Sequence, residues 1–210
     1  MLGYFLDGGW MMVPLTACSI LWVAIFIDRT RAFRAAGKGH HDLCKGVQNA
    51  LGARDVGKAI TLCEQESGPV AATFLKGLTR YQRLKQLGKP STEIEVSVGR
   101  TMEEYAPKAM QGLERHLGAL TLMAAIAPLI GMVGTVTGMI RAFGVMSDQA
   151  GLEAGAVAGG ISEAMLTTAA GLLVAVPCVI VYYVFQRRIE DYMSTIETGI
   201  ADIAEFIGEA

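Results

Sequence analysis

A chain of 210 residues with 52% hydrophobic residues, 18% charged ones and a mean hydropathy of +0.39 has too little polar surface to wrap a water-soluble core. Its charge is nearly balanced, 18 Lys+Arg against 20 Asp+Glu for a net −2, so no nucleic-acid partner is expected. The charges are also unevenly spread: residues 8–27, 117–140 and 164–186 contain no Asp, Glu, Lys, Arg or His, and these runs are 20, 24 and 23 residues long. As helices they extend roughly 30 to 36 Å, enough to cross a hydrocarbon core of about 30 Å.

Residues 1–9 form a short outer N-terminus and 10–27 the first transmembrane helix. A cleaved signal peptide is disfavoured, because the first nine residues hold no Lys or Arg, the apolar run is too long, and Asp28-Arg29 stands where small residues would mark a cleavage site. Segment 28–116 carries 15 of the 18 basic residues against 10 acidic ones, which places it in the cytoplasm. Its basic stretch 29–45 is expected to meet anionic lipid headgroups. Within it, His40, His41 and Cys44 lack a fourth ligand at metal-site spacing, so no metal is expected. The four cysteines lie in spans or in this segment, and no disulfide framework is expected.

Residues 43–66 and 70–87 read as short amphipathic helices, split by Ser67-Gly68-Pro69 and closed by Gly88-Lys89-Pro90. Ser91-Thr92 with Glu95 is a capping pattern that opens another helix. Ile94, Val98, Met102, Tyr105, Ala109 and Leu113 recur every three or four residues, which predicts one unbroken helix through Pro107 and Pro128 to about 140. Its last part, 117–140, is the second transmembrane helix; 141–163 is a short outer connection, and 164–186 is the third span. The tail 187–210 opens with Arg187-Arg188 and returns the chain to the cytoplasm. Ile189, Met193, Ile196, Ile200, Ile203 and Ile207 make a heptad-like seam on that acidic tail, expected to pack on 94–113 or to line the inside of an oligomer. The predicted fold is an all-α integral membrane protein of three transmembrane helices, the second and third extending far into the cytoplasm as a long helical hairpin.

The second span carries Thr121, Ala124, Pro128, Gly131, Thr135 and Gly138 at three- and four-residue spacing. The third carries Thr168, Gly171, Ala175, Cys178 and Tyr182 in the same way. Such small faces let helix backbones approach closely, and Gly134 with Gly138 forms a GxxxG pair. Packing alone accounts for most of these glycines. Thr135, Thr137, Thr167 and Thr168 place hydroxyls inside the apolar layer and suggest a polar-lined cavity, with Pro128 and Pro177 freeing carbonyls along it. Glu163 stands about five residues, roughly 7 Å, from Thr168 at the outer mouth. It serves there either as part of a path or as a solvated acid in a helix's first turn. Arg141 reads as an interface anchor. No nucleophile–base constellation occurs, so neither enzymatic activity nor a cofactor is expected.

The strings Ala127-Pro128-Leu129-Ile130-Gly131-Met132-Val133-Gly134-Thr135-Val136-Thr137-Gly138-Met139 and Gly160-Ile161-Ser162-Glu163-Ala164 resemble signatures of the MotA/TolQ/ExbB proton-channel family. So do Thr167-Thr168-Ala169-Ala170-Gly171-Leu172 and Ala175-Val176-Pro177, the close match covering about 127–185. Three spans bring the chain nearer to ExbB/TolQ-like members than to the four-span flagellar stators. Tyr182-Tyr183 departs from the Tyr-Asn of many relatives. The resemblance implies an inner-membrane motor subunit in a ring, usually a pentamer, around two ExbD/TolR-like single-span proteins, powering TonB-type uptake or TolA-type envelope work. It also implies that Thr135 and Thr168 line the pore and that Glu163 is the third-span glutamate. A proton relay needs an ionisable group; since no span here supplies one, the carboxylate is expected to be an Asp of the partner. A passive scaffold with packing faces only is the competing expectation. A solute transporter is disfavoured by three spans without an inverted repeat.

Overall fold

A computed structural model describes residues 9–37, 39–148 and 154–209. The described residues are helical with short connections and contain no strand. The helices are α1 Met12–Ala35, α2 His40–Gly52, α3 Val56–Gln65, α4 Pro69–Gln86, α5 Ser91–Glu114, α6 Leu117–Asp148 and α7 Ala154–Gly208. Stretches of α1, α6 and α7 are long and apolar enough to cross a membrane. The helices run through Pro107, Pro128 and Pro177 without ending. The chain forms two compact units: one takes the chain as far as Ile27 together with His116–Val184, the other Asp28–Arg115 together with the chain from Phe185 onward.

The second unit is a helical bundle whose core includes Phe33, Val47, Phe74, Leu78, Val98, Met102, Ile196 and Ile203, each at most 3% exposed. Gly77 lets Met102 lie against α4, since a methyl at Gly77 would stand 2.2 Å from the Met102 sulfur. The tail seam is buried inside its own chain. Ile189, Tyr192, Ile196, Gly199, Ile203 and Ile207 point inward, so Tyr192 and Gly199 take the places expected of Met193 and Ile200. Phe185 stacks on Phe33 at 4.9 Å, Phe206 meets Tyr81 edge-on at 5.9 Å, and Gly199 leaves room for the Phe74 ring. The seam therefore covers α1 and α4 as well as the region near α5. On α5 the buried row is Ile94, Val98, Met102, Ala106, Met110 and Leu113. It departs from the expected row at Tyr105 and Ala109, because a near-four-residue spacing follows the partner helix.

Three local expectations are corrected here. The helix expected over 43–66 divides at Arg54, whose φ of +58° ends α2, and Asp55 opens α3 by accepting the Lys58 N–H at 2.9 Å. The unbroken helix expected from about 91 to 140 is interrupted at Arg115–His116, with His116 at φ +68°. The carbonyls left free there are taken up by Arg29: its Nη1 donates to Gly112 O at 2.8 Å and Leu113 O at 3.3 Å, and its Nη2 pairs with Asp28 at 2.6 Å. Ser91 opens α5 as expected but makes no capping hydrogen bond; Pro90 precedes it in extended conformation. Gly68, at φ +140°, lies where a methyl would be 2.5 Å from the Ala36 carbonyl oxygen, which requires glycine.

In the first unit, α6 continues to Asp148 and α7 begins at Ala154, so much of the stretch expected as a connection, 141–163, is helical. Residues 149–153 and most of the N-terminal 1–9 lie outside the described residues. The outer faces of these helices are apolar. Leu129, Met132, Val136, Leu173, Val176 and Ile180 are 48–75% exposed, a band that suits hydrocarbon and not water.

Candidate functional site

The site is the crossing of α6 and α7, and small residues create it. A methyl added at Gly131 would be 3.1 Å from Thr168 Cα, and one at Gly138 would be 3.0 Å from Gly160 O. At Gly171 it would be 2.6 Å from Ala127 O. The two backbones are thus in contact along a seam built from Ala127, Gly131, Gly134, Gly138 and Ala142 on α6. Gly160, Ala164, Thr167 and Gly171 face them from α7. Of the face read from sequence, Gly131, Gly138 and Gly171 lie in this seam. Thr121 is exposed, and Pro128 and Pro177 are half-buried. Ala127, Gly160 and Ala164 belong to the family-like strings but not to the small-residue face read from spacing, and Ala142 to neither; a stripe shifted by part of a turn contains them.

The threonines divide. Thr167 is 1% exposed: its methyl fills the gap over Gly134 and its hydroxyl donates to Glu163 O at 2.8 Å. Thr168 is half-buried and donates across the seam to Gly131 O at 3.1 Å. Thr135, one turn after Gly131 on α6, donates to Met132 O at 2.6 Å, and Thr137 donates to Val133 O and Gly134 O, both at 3.1 Å. Thr168 and Thr135 thus donate to consecutive α6 carbonyls, those of Gly131 and Met132, and each hydroxyl oxygen keeps acceptor capacity. Such oxygens can receive a hydrogen bond from water or from a protonated carboxylic acid. Glu163 is joined to Arg141, whose Nη1 donates to Oε1 at 2.9 Å, an ion pair with no signal in the sequence because 22 residues separate the two. The pair ties the two helices together at the level of the Gly138–Gly160 contact, within both helices and short of their ends. Among the described residues, no group of three or more His, Cys, Asp or Glu is arranged to hold a metal.

These features define a multi-pass helical membrane protein whose second and third spans touch through small residues and hydroxyls. Residues 65–198 match the model of the MotA/TolQ/ExbB proton channel family, and the chain belongs to that family. It is similar to ExbB-like biopolymer transport protein 1 of Synechocystis sp., 31% identical over 202 residues, covering 93% of this chain and 76% of that protein. Biopolymer transport protein ExbB of Salmonella typhimurium is 27% identical over 194 residues, covering 92% of this chain and 78% of that protein. Tol-Pal system protein TolQ of Haemophilus influenzae is 30% identical over 202 residues, covering 89% of this chain and 84% of its own length. The protein is a proton-channel-family membrane subunit of the ExbB/TolQ kind.

Proposed function

We propose that this chain forms the ring of a proton-motive-force-driven motor in the bacterial inner membrane. The ring is a homo-oligomer, a pentamer, around a dimer of an ExbD/TolR-like single-span protein with an Asp in its span. It powers a TonB-like or a TolA-like protein. The N-terminus is periplasmic and the C-terminus cytoplasmic, as the basic residues of 28–116 favour. One observation carries the reading. The uncharged spans contain no proton carrier of their own, yet the hydroxyls of Thr135 and Thr168 donate to the neighbouring carbonyls of Met132 and Gly131 and keep acceptor capacity inside the apolar layer. A partner carboxyl that protonates on the outer side, crosses neutral past these acceptors and releases its proton inside completes the circuit. The ion pair at Glu163 marks the outer mouth.

A passive scaffold is favoured by one fact only, the direct backbone contact at Gly131, Gly138 and Gly171. The two readings separate on Thr135→Val and Thr168→Val, which keep side-chain volume and remove the hydroxyl. With the partner co-reconstituted in vesicles, each variant is expected to assemble normally and to lower proton flux about tenfold, the cost of one lost hydrogen bond to the moving group. Undiminished flux in both variants would overturn the role given to these two hydroxyls and leave packing as their function.

A further inference from the structure

The second unit holds a pocket of about 450 Å³ where α1, the start of α2 and α7 meet, within the size range of small-molecule sites, about 300–1,000 Å³. Phe33 and Tyr192 form its apolar wall, with the Tyr192 hydroxyl donating to Gly37 O at 3.0 Å. Arg34 from α1 and Arg188 from α7 reach its edge, and His40 and His41, rings 4.5 Å apart, stand in the first turn of α2. Among the described residues, neither guanidinium makes an ion pair or a hydrogen bond. One nitrogen of His40, Nδ1, is buried without a partner. Asp191 also lines the pocket. A single carboxylate faces two arginines and leaves a net positive site.

We propose that this pocket binds a phosphate group, carried by an anionic lipid headgroup or by a soluble phosphate compound. Two guanidiniums on separate helices offer paired N–H donors to phosphate oxygens. The imidazoles and the uncapped amides at the start of α2 supply further donors. The position along the chain suits a headgroup. Arg188 lies two residues past the uncharged run 164–186 and Arg34 seven past 8–27, roughly 3 and 10 Å along their helices. A headgroup layer occupies on the order of 5–8 Å beyond each side of the hydrocarbon core, so Arg188 falls within it and Arg34 just past it. This is a defined cleft with named partners, beyond the general attraction of the basic stretch 29–45 for a membrane.

The test compares two double variants that lose the same charge: Arg34→Gln with Arg188→Gln at the pocket, and Arg31→Gln with Arg187→Gln beside it. The full-length protein is purified into phosphatidylcholine nanodiscs containing a minor fraction of phosphatidylglycerol, and retained lipid is counted by native mass spectrometry. Radiolabelled inorganic phosphate is measured separately by equilibrium dialysis. The pocket variant is expected to lose phosphatidylglycerol retention about thirtyfold, and the neighbouring variant no more than about twofold. Loss of phosphatidylglycerol retention without any phosphate binding assigns the site to lipid. Phosphate binding by the parent chain that only the pocket variant loses assigns it to a soluble ligand. Equal behaviour of the two variants toward both probes overturns the proposal, and all four arginines are exposed, so neither pair threatens the fold.

Discussion

Gly171 is the least forgiving position of the α6–α7 seam, because both of its nearest neighbours, Ala127 O and Gly131 Cα, are backbone atoms that cannot swing aside. Gly171→Ala is expected to destabilise the chain by about 1–3 kcal/mol through overpacking. Gly118→Ala, with nothing within 4 Å, should be neutral or stabilising by up to about 1 kcal/mol; thermal unfolding in detergent compares them. His40 behaves differently. Burial holds its pKa below the ordinary 6.5, His41 pushes the same way, and Asp191 opposes. The unfolded chain then binds a proton that the folded one resists, so stability is full above about pH 6.5 and falls as the pH drops below it. His40→Gln should flatten that fall, which urea titrations across the pH range would detect. At this scale the sequence was only partly readable. Thr167 and Thr168 are neighbours about 100° apart on a helix, and nothing in their own identity says which turns into the seam. The empty space above Gly134 decides it.

At the scale of elements, the spans were legible because a bilayer imposes a test of composition and length that α1, α6 and α7 pass. The interruptions were not. Arg54 and His116 break helices in left-handed conformation, and neither is the glycine or asparagine that announces such a turn. The buried row of α5 was misphased because Tyr105 and Ala109 are as apolar as Ala106 and Met110, so periodicity alone leaves two faces open. At His116 the break is held by Arg29, 5% exposed, which closes the end of α5. Arg29→Leu leaves Asp28 and the Gly112 and Leu113 carbonyls without that donor and should cost about 3 kcal/mol. Hydrogen exchange over the last turn of α5 should accelerate accordingly. Unchanged protection there would mean that water replaces the guanidinium at no cost.

For the whole molecule, the positive-inside argument yields a direct test of orientation. In intact cells a membrane-impermeant maleimide should label Ser162→Cys, and label Thr79→Cys only after permeabilisation; the reverse pattern would invert the topology. Native cysteines in the second unit interfere little. Burial, with help from Cys44 and Glu64, pushes the Cys63 thiol up to about 12, and burial raises Cys44 too, so little reactive thiolate is present at neutral pH. Where the tail was expected on 94–113 or inside an oligomer, its interleaving with Phe33, Phe74 and Tyr81 was hidden in the sequence, since 28–116 shows no gap that only residues 185 onward would fill. That interleaving has a consequence for biosynthesis. Phe33, Phe74 and Tyr81 leave the ribosome long before Phe185, Gly199 and Phe206 exist to cover them. The nascent bundle must wait, greasy side open, while two further hydrophobic segments are threaded into the bilayer. A chain stopped before Phe185 is therefore expected to expose these aromatic rings, and added protease should cut it there faster than the complete chain.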